Sequence, residues 1–183
     1  MSATKGNILI SYPFLGDANF ERSVVLLCEN NDSGSFGFIL NKSTDLTLNE
    51  VIDKPLLLDC PIYLGGPVAQ DAIFFIVQQD QPLLKDSTWI AEDIYWGGDF
   101  DHLLDLLSKG EYSGEQCRFF LGYSGWSDGQ LESELQSDAW IVSDINPTVV
   151  LHTQPNKMWQ QSLITLGGKY KQMANYPIDP RLN

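Results

Sequence analysis

Residues Val24-Val25-Leu26-Leu27-Cys28 form an unbroken apolar run. A strand that alternates apolar and polar residues can lie on a surface, whereas an unbroken run has to be covered on both faces. This segment therefore belongs inside a sheet. The turn-rich stretch Asn30-Asn31-Asp32-Ser33-Gly34 follows, and then Phe36 to Leu40, which predicts an antiparallel hairpin at the centre of that sheet.

Further strands are expected at Ile8 to Tyr12, Ile62 to Leu64, Ala72 to Val77, Ile94 to Trp96, Arg118 to Gly122 and Ala139 to Val142. Thr47 and Glu50 have capping-box spacing and predict a short helix burying Leu48, Val51 and Ile52. Phe100, Leu103, Leu104 and Leu107 recur at helical spacing between Asp99 and Ser108, with Gly110 as the stop. A helix carrying Leu131 and Leu135 is expected between two strands, and Trp159, Leu163 and Leu166 mark one face of a last helix closed by Gly167-Gly168. Hairpins interspersed with helices argue for a mixed α/β (α+β) sheet and against a doubly wound parallel one. With no internal repeat and no linker, residues 1–183 read as a single domain, of which 169–183 form a poorly periodic tail.

Charge narrows the partners. Residues 43–154 hold 19 acids and four bases, Lys54, Lys85, Lys109 and Arg118, for a net −15. The whole chain carries −13. Nucleic-acid affinity rests on Lys and Arg displacing counterions from phosphates, so this field disfavours direct nucleic-acid binding. No apolar run approaches the roughly 20 residues that span a bilayer, and the first seven residues lack the layout of a signal peptide, so a cytoplasmic protein with no membrane contact is expected. Cys28, Cys60 and Cys117 show no C-x-x-C spacing and are expected to be buried free thiols.

Several segments invite a catalytic reading. Gly125-Trp126-Ser127-Asp128-Gly129 fits G-x-S-x-G and precedes Asp144 and His152 in hydrolase order. Ser127 followed by Gln130 also has capping-box spacing, and the chain lacks the repeated β-α units of a nucleophile elbow, so the cap is the preferred reading. Asp99, Asp101, His102 and Asp105 do not have EF-hand spacing, and acids in a first helical turn are stabilised by the macrodipole alone. His152, beside the run Thr148 to Leu151, reads as a structural histidine. Gly65-Gly66-Pro67 lacks a phosphate-loop signature and reads as a tight turn. An ion pair between Asp17 and Arg22 is expected to brace the loop between the first two strands, or else to present a polar recognition point beside aromatics.

Taken together, Pro13-Phe14-Leu15-x-Asp17-x-x-Phe20-x-Arg22-Ser23-Val24-Val25, Cys28-Glu29, Gly37-Phe38-Ile39-Leu40-Asn41, Gly65-Gly66-Pro67-Val68 and Gly122-Tyr123-x-Gly125-Trp126-x-x-Gly129-Gln130-Leu131-Glu132-x-Glu134 resemble the YqgE/AlgH family. The resemblance runs from about Asn7 to Gly167. It implies a bacterial cytosolic protein whose bifurcated mixed sheet folds into a pseudo-barrel with helices packed around it. One branch of that family is named as a transcriptional regulator. Its pattern does not require Ser at position 127, and many relatives place His where this chain has Asn30.

These observations favour a non-enzymatic regulatory or binding protein that works through a protein partner or a small anionic ligand, with no cofactor and no metal. The expected surface combines Asp17, Phe20, Arg22, Asn41, Gly65, Gly66, Trp126 and Gln130, because aromatics supply contact area and glycines allow close backbone approach. The alternative is a hydrolase or transferase using Ser127 or Cys28, which requires a base within hydrogen-bond reach. A direct DNA-binding regulator ranks last.

Overall fold

The computed structural model describes residues 2–53, 56–57, 59–81 and 83–178. In chain order its strands are β1 (Ile8–Ser11), β2 (Val24–Asn31), β3 (Gly34–Ile39), β4 (Ser43–Thr47), β5 (Pro61–Leu64), β6 (Val68–Gln78), β7 (Thr88–Ala91), β8 (Ile94–Trp96), β9 (Cys117–Trp126) and β10 (Trp140–Ser143). The helices are α1 (Phe100–Lys109), α2 (Gln130–Gln136), α3 (Pro147–His152), α4 (Pro155–Leu166) and α5 (Gly168–Met173).

The hairpin of β2 and β3 is antiparallel, with Val25 opposite Ile39 and Leu26 opposite Phe38. Val24 to Cys28 have no exposed surface, and the strand pleat sends them alternately to two cores. Val24, Leu26 and Cys28 join Ile8, Phe38, Ile76, Ile90, Ile94 and Phe120 on the inner face. Val25 and Leu27 join Ile39, Trp126, Leu131 and Trp140 on the outer face. That is why the run has no polar alternation.

The ladder runs β10-β1-β2-β3-β9-β6-β8-β7, and β5 leaves this path to pair with β9 in parallel. The sheet forks at β9: β3 pairs with Ser124 to Trp126, whereas β5 pairs with Phe119 to Leu121. The inner face curls so that residues of β1 and β7, far apart along the ladder, share one core. Lys5, just before β1, donates to the Trp89 carbonyl at 3.0 Å and lies over its ring, so side chains span the gap that ladder bonds leave. A second outer core packs Leu103, Leu106 and Leu107 of α1 against Phe75, Val77 and Phe119.

α1 begins and ends where its signals place it. Asp99 accepts from the His102 N–H at 3.0 Å, and Gly110 closes the helix at φ 72°. Other elements differ from the sequence reading. Thr47 and Glu50 do form a capping box, but it opens a single 3-10 turn that buries Leu48 and leaves Val51 exposed. β9 runs on to Trp126 because its second half pairs with β3. β4, β7 and α3 were not anticipated: β4 and β7 lie mostly in solvent on the sheet's margins, and α3 spans only six residues. α5 occupies a stretch with no apolar periodicity and buries none of its residues. Residues 179–183 of the expected tail lie outside the described residues.

Candidate functional site

The loop between β1 and β2 is held by its own polar groups. The Asp17 carboxylate accepts from the Asn19 N–H at 2.8 Å, and its carbonyl accepts from Phe20 and Glu21. The expected ion pair with Arg22 is not formed. Among the described residues the one ion pair joins Lys109 and Asp105. Arg22 instead turns the other way, at φ 49°. A side chain in this left-handed region costs roughly 1 kcal/mol and needs support. Asn41 supplies it, donating to the Arg22 carbonyl at 2.8 Å while accepting from the Val24 N–H at 2.8 Å.

The Arg22 guanidinium lies 4.7 Å from the centre of the Trp159 ring and donates to the Tyr176 carbonyl. Trp159 is itself pinned, its indole N–H donating to the Ser11 carbonyl at 2.9 Å. Phe14 stacks on Tyr176, which ties the chain after α5 to the same loop. Together Arg22, Asn41, Pro155, Asn156, Trp159 and Gln160 line a cleft of about 260 Å³.

Phe20, Trp126 and Gln130 gather elsewhere. Phe20 stacks on Trp126 and meets Trp140 edge-on at 5.4 Å. Both indoles donate to one oxygen of Glu134, at 2.8 and 2.7 Å, and Gln130 donates to the other at 2.9 Å. Trp126 is buried. Glu134 was not singled out from sequence, although its position four residues after Gln130 on a helix made the contact foreseeable.

Gly65 and Gly66 are buried at the fork. The Gly65 N–H donates to Leu121, while its carbonyl accepts from the Ile39 N–H and the Ser124 hydroxyl, tying β3, β5 and β9 at one residue. A Cβ on Gly66 would stand 2.2 Å from the Tyr123 carbonyl. The eight expected residues thus occupy four settings: the cleft, the tryptophan cluster, the fork and the Asp17 loop.

The nucleophile candidates are poorly placed. Burial pushes the Cys28 thiol well above its ordinary range, and the group has no exposed surface. Burial also raises Cys60, and pushes Cys117 up to about 12. The Ser127 hydroxyl is exposed and donates to Gln130 Oε1 at 3.1 Å. The N-cap of α2 is Gly129, so Ser127 does not cap with its side chain as expected; only the Gln130 amide reaches back to the Ser127 N–H. His152 lines a cavity with Tyr63, Cys117 and Arg118, and neither Ser127 nor Cys28 is in its wall. Among the described residues no three His, Cys, Asp or Glu side chains gather to hold a metal ion.

That cavity contains a second residue which sequence reasoning missed. Arg118, in the middle of the sheet on β9, is 3% exposed. Its Cζ lies 4.0 Å from the centre of the Tyr63 ring, and Nη1 donates to the Val150 carbonyl at 2.8 Å and to Leu151 at 3.4 Å. Nε and Nη2 are shielded from solvent and have no partner. Burial lowers its pKa from the ordinary arginine value, and electrostatic interaction with Tyr63 opposes that.

A family model described as AlgH-like matches residues 8–171. The chain belongs to the AlgH-like family. It is 58% identical to a UPF0301 protein of Cytophaga hutchinsonii over 98% of this chain and 99% of that one. A UPF0301 protein of Parabacteroides distasonis is 43% identical over 98% and 91% of the two chains. The solution structure of AlgH from Pseudomonas aeruginosa superimposes with a TM-score of 0.73 at 29% identity, covering 97% of each chain. A crystal structure from Corynebacterium diphtheriae shares the AlgH-like fold, with a TM-score of 0.78 at 21% identity over 96% and 94% of the chains. No helix among the described residues is long and apolar enough to cross a membrane.

Proposed function

We propose that this AlgH-like protein is a non-enzymatic regulatory or binding protein whose recognition cleft centres on Arg22. The observation that carries the reading is the guanidinium held over Trp159 with Asn41 fixing the backbone beneath it. Among the described residues, four of its five N–H donors make no hydrogen bond. A cleft of about 260 Å³ is smaller than the roughly 300 to 1,000 Å³ of a drug-sized ligand site. It suits one anionic group, and an acidic side chain of a protein partner is the preferred occupant. A small anionic ligand is the alternative.

The other expected residues act at a distance under this reading: Asp17 shapes the loop, and Phe20 anchors it on Trp126. Gln130 and Glu134 hold that anchor, and Gly65 and Gly66 fix the sheet behind it. The buried thiols and the Ser127 hydroxyl bound to Gln130 weigh against the hydrolase alternative. The net −13 weighs against direct DNA binding. Three free cysteines suit the reducing cytoplasm, and residues 1–183 are taken to work as one unit there.

The test is to isolate a partner by pull-down and compare its affinity for the wild type and for Arg22→Lys by calorimetry. Lysine keeps the charge but lacks the planar fork, so affinity should fall about tenfold while the melting temperature barely moves. Equal affinities overturn the reading.

A further inference from the structure

Arg118 raises a question that the Arg22 cleft does not answer. Arginine does not lose its proton in proteins, and a buried charge without a partner is costly. Buried charges are as a rule paired with an opposite charge and hydrogen-bonded. Among the described residues no carboxylate pairs with Arg118. Two contacts compensate in part, the Tyr63 ring on one face and the α3 carbonyls on Nη1.

The uncommitted atoms are specific ones. Nε and Nη2 form one straight edge of the guanidinium, with two N–H bonds pointing the same way. This is the edge that takes a carboxylate or phosphate through two parallel hydrogen bonds. The side chain carrying that edge also lines a cavity of about 370 Å³, with Pro61, Tyr63, Gly114, Cys117 and Leu151 in its wall. Exposed Glu115 and His152 lie on the same wall. The size lies within the range of small-molecule sites, roughly 300 to 1,000 Å³.

We propose that this cavity is a binding site for a small oxyanion, a carboxylate or a phosphate, held by the Nε–Nη2 edge of Arg118 beneath Tyr63. The ligand has to be small. Residues 43–154, which contain Arg118, carry −15, so a polyanion is repelled from outside and only short-range bonds inside the cavity hold an anion. Nε and Nη2 have no surface open to water, so the residues packed on that edge have to yield before an anion in the cavity reaches it. The site is independent of the Arg22 cleft and stands or falls separately.

The experiment titrates the intact wild-type protein with inorganic phosphate and, separately, with acetate, at constant ionic strength set by chloride. The Arg118 Nε–H resonance is followed by nitrogen-15 NMR alongside the melting temperature. A saturable displacement of that resonance is expected with one or both anions. Phosphate alone identifies a phosphate site, and acetate alone a carboxylate site. Arg118→Lys, which lacks the edge, should weaken the accompanying rise in melting temperature at least about tenfold in anion concentration. No displacement with either anion overturns the proposal, as does an equal response to chloride or an undiminished thermal response in Arg118→Lys. Should Arg118→Lys fail to fold, the wild-type resonance alone decides.

Discussion

Arg22 and Arg118 each rest on an aromatic ring, yet the regions around them are built differently. Arg22 belongs to a loop held by side chains: Asn41 under its backbone, Phe20 in the tryptophan cluster, Tyr176 at its tip. Arg118 belongs to a strand held by backbone, with β5 along one edge, β6 along the other and Gly65 at the fork. The first can adjust to a partner at the cost of a few side-chain contacts. The second cannot move without parting the sheet, so its charge is fixed in place before any anion arrives.

The largest effect should come from the fork. A Cβ on Gly66 meets the Tyr123 backbone at 2.2 Å, whereas one on Gly16 meets nothing within 4 Å. Gly66→Ala should therefore cost about 3 kcal/mol or prevent folding. Gly16→Ala, strained only by its φ of 80°, should cost about 1 kcal/mol. Equal losses in urea titrations would erase the distinction between backbone-held and side-chain-held regions.

Next in size is Glu134→Ala, which strips the acceptor from two buried indole N–H groups and should cost about 2 to 3 kcal/mol. Because Phe20 packs on those indoles, hydrogen exchange should rise in the Asp17 to Ser23 loop and stay unchanged in the Cys117 to Leu121 half of β9, away from Trp126. Faster exchange at both would show that the regions are coupled.

A smaller effect concerns alkali near Arg118. The buried Cys117 thiol is pushed up to about 12 in the folded protein from an ordinary 9.0. Above pH 9 the unfolded chain releases this proton while the folded one keeps it, so stability falls as pH rises toward 12. Between pH 8 and 10 Cys117 should contribute about 1 kcal/mol of the loss, and Cys117→Ala should flatten the slope by that amount, the raised Cys28 and Cys60 keeping the remainder. The same slope in Cys117→Ala would assign it to other groups.

Ser127→Ala should do least. Its hydroxyl is exposed and Gly129 occupies the cap, so less than about 0.5 kcal/mol is expected. A cost above about 1 kcal/mol would restore the capping role.

What the amino-acid sequence determined by itself was whatever depends on near neighbours. The run Val24 to Cys28 announced a strand covered on both faces, because its composition forbids a solvated one. Asp99 and Gly110 bounded α1, because a cap bonds within three or four residues. The motif residues include Arg22 and Asn41, but that they line one cleft is not a matter of near neighbours. Tertiary structure alone decided the rest. Arg22 bonds to Tyr176, 154 residues away, and no local pattern could favour that over Asp17. Gly65 and Gly66 read as a turn until β9 is laid against them. Arg118 looked like an ordinary strand cation; its burial depends on Tyr63 from β5 and carbonyls from α3, 32 and 33 residues on. A charge is stabilised by whatever surrounds it in space, and spacing along the chain carries that information only within a few residues.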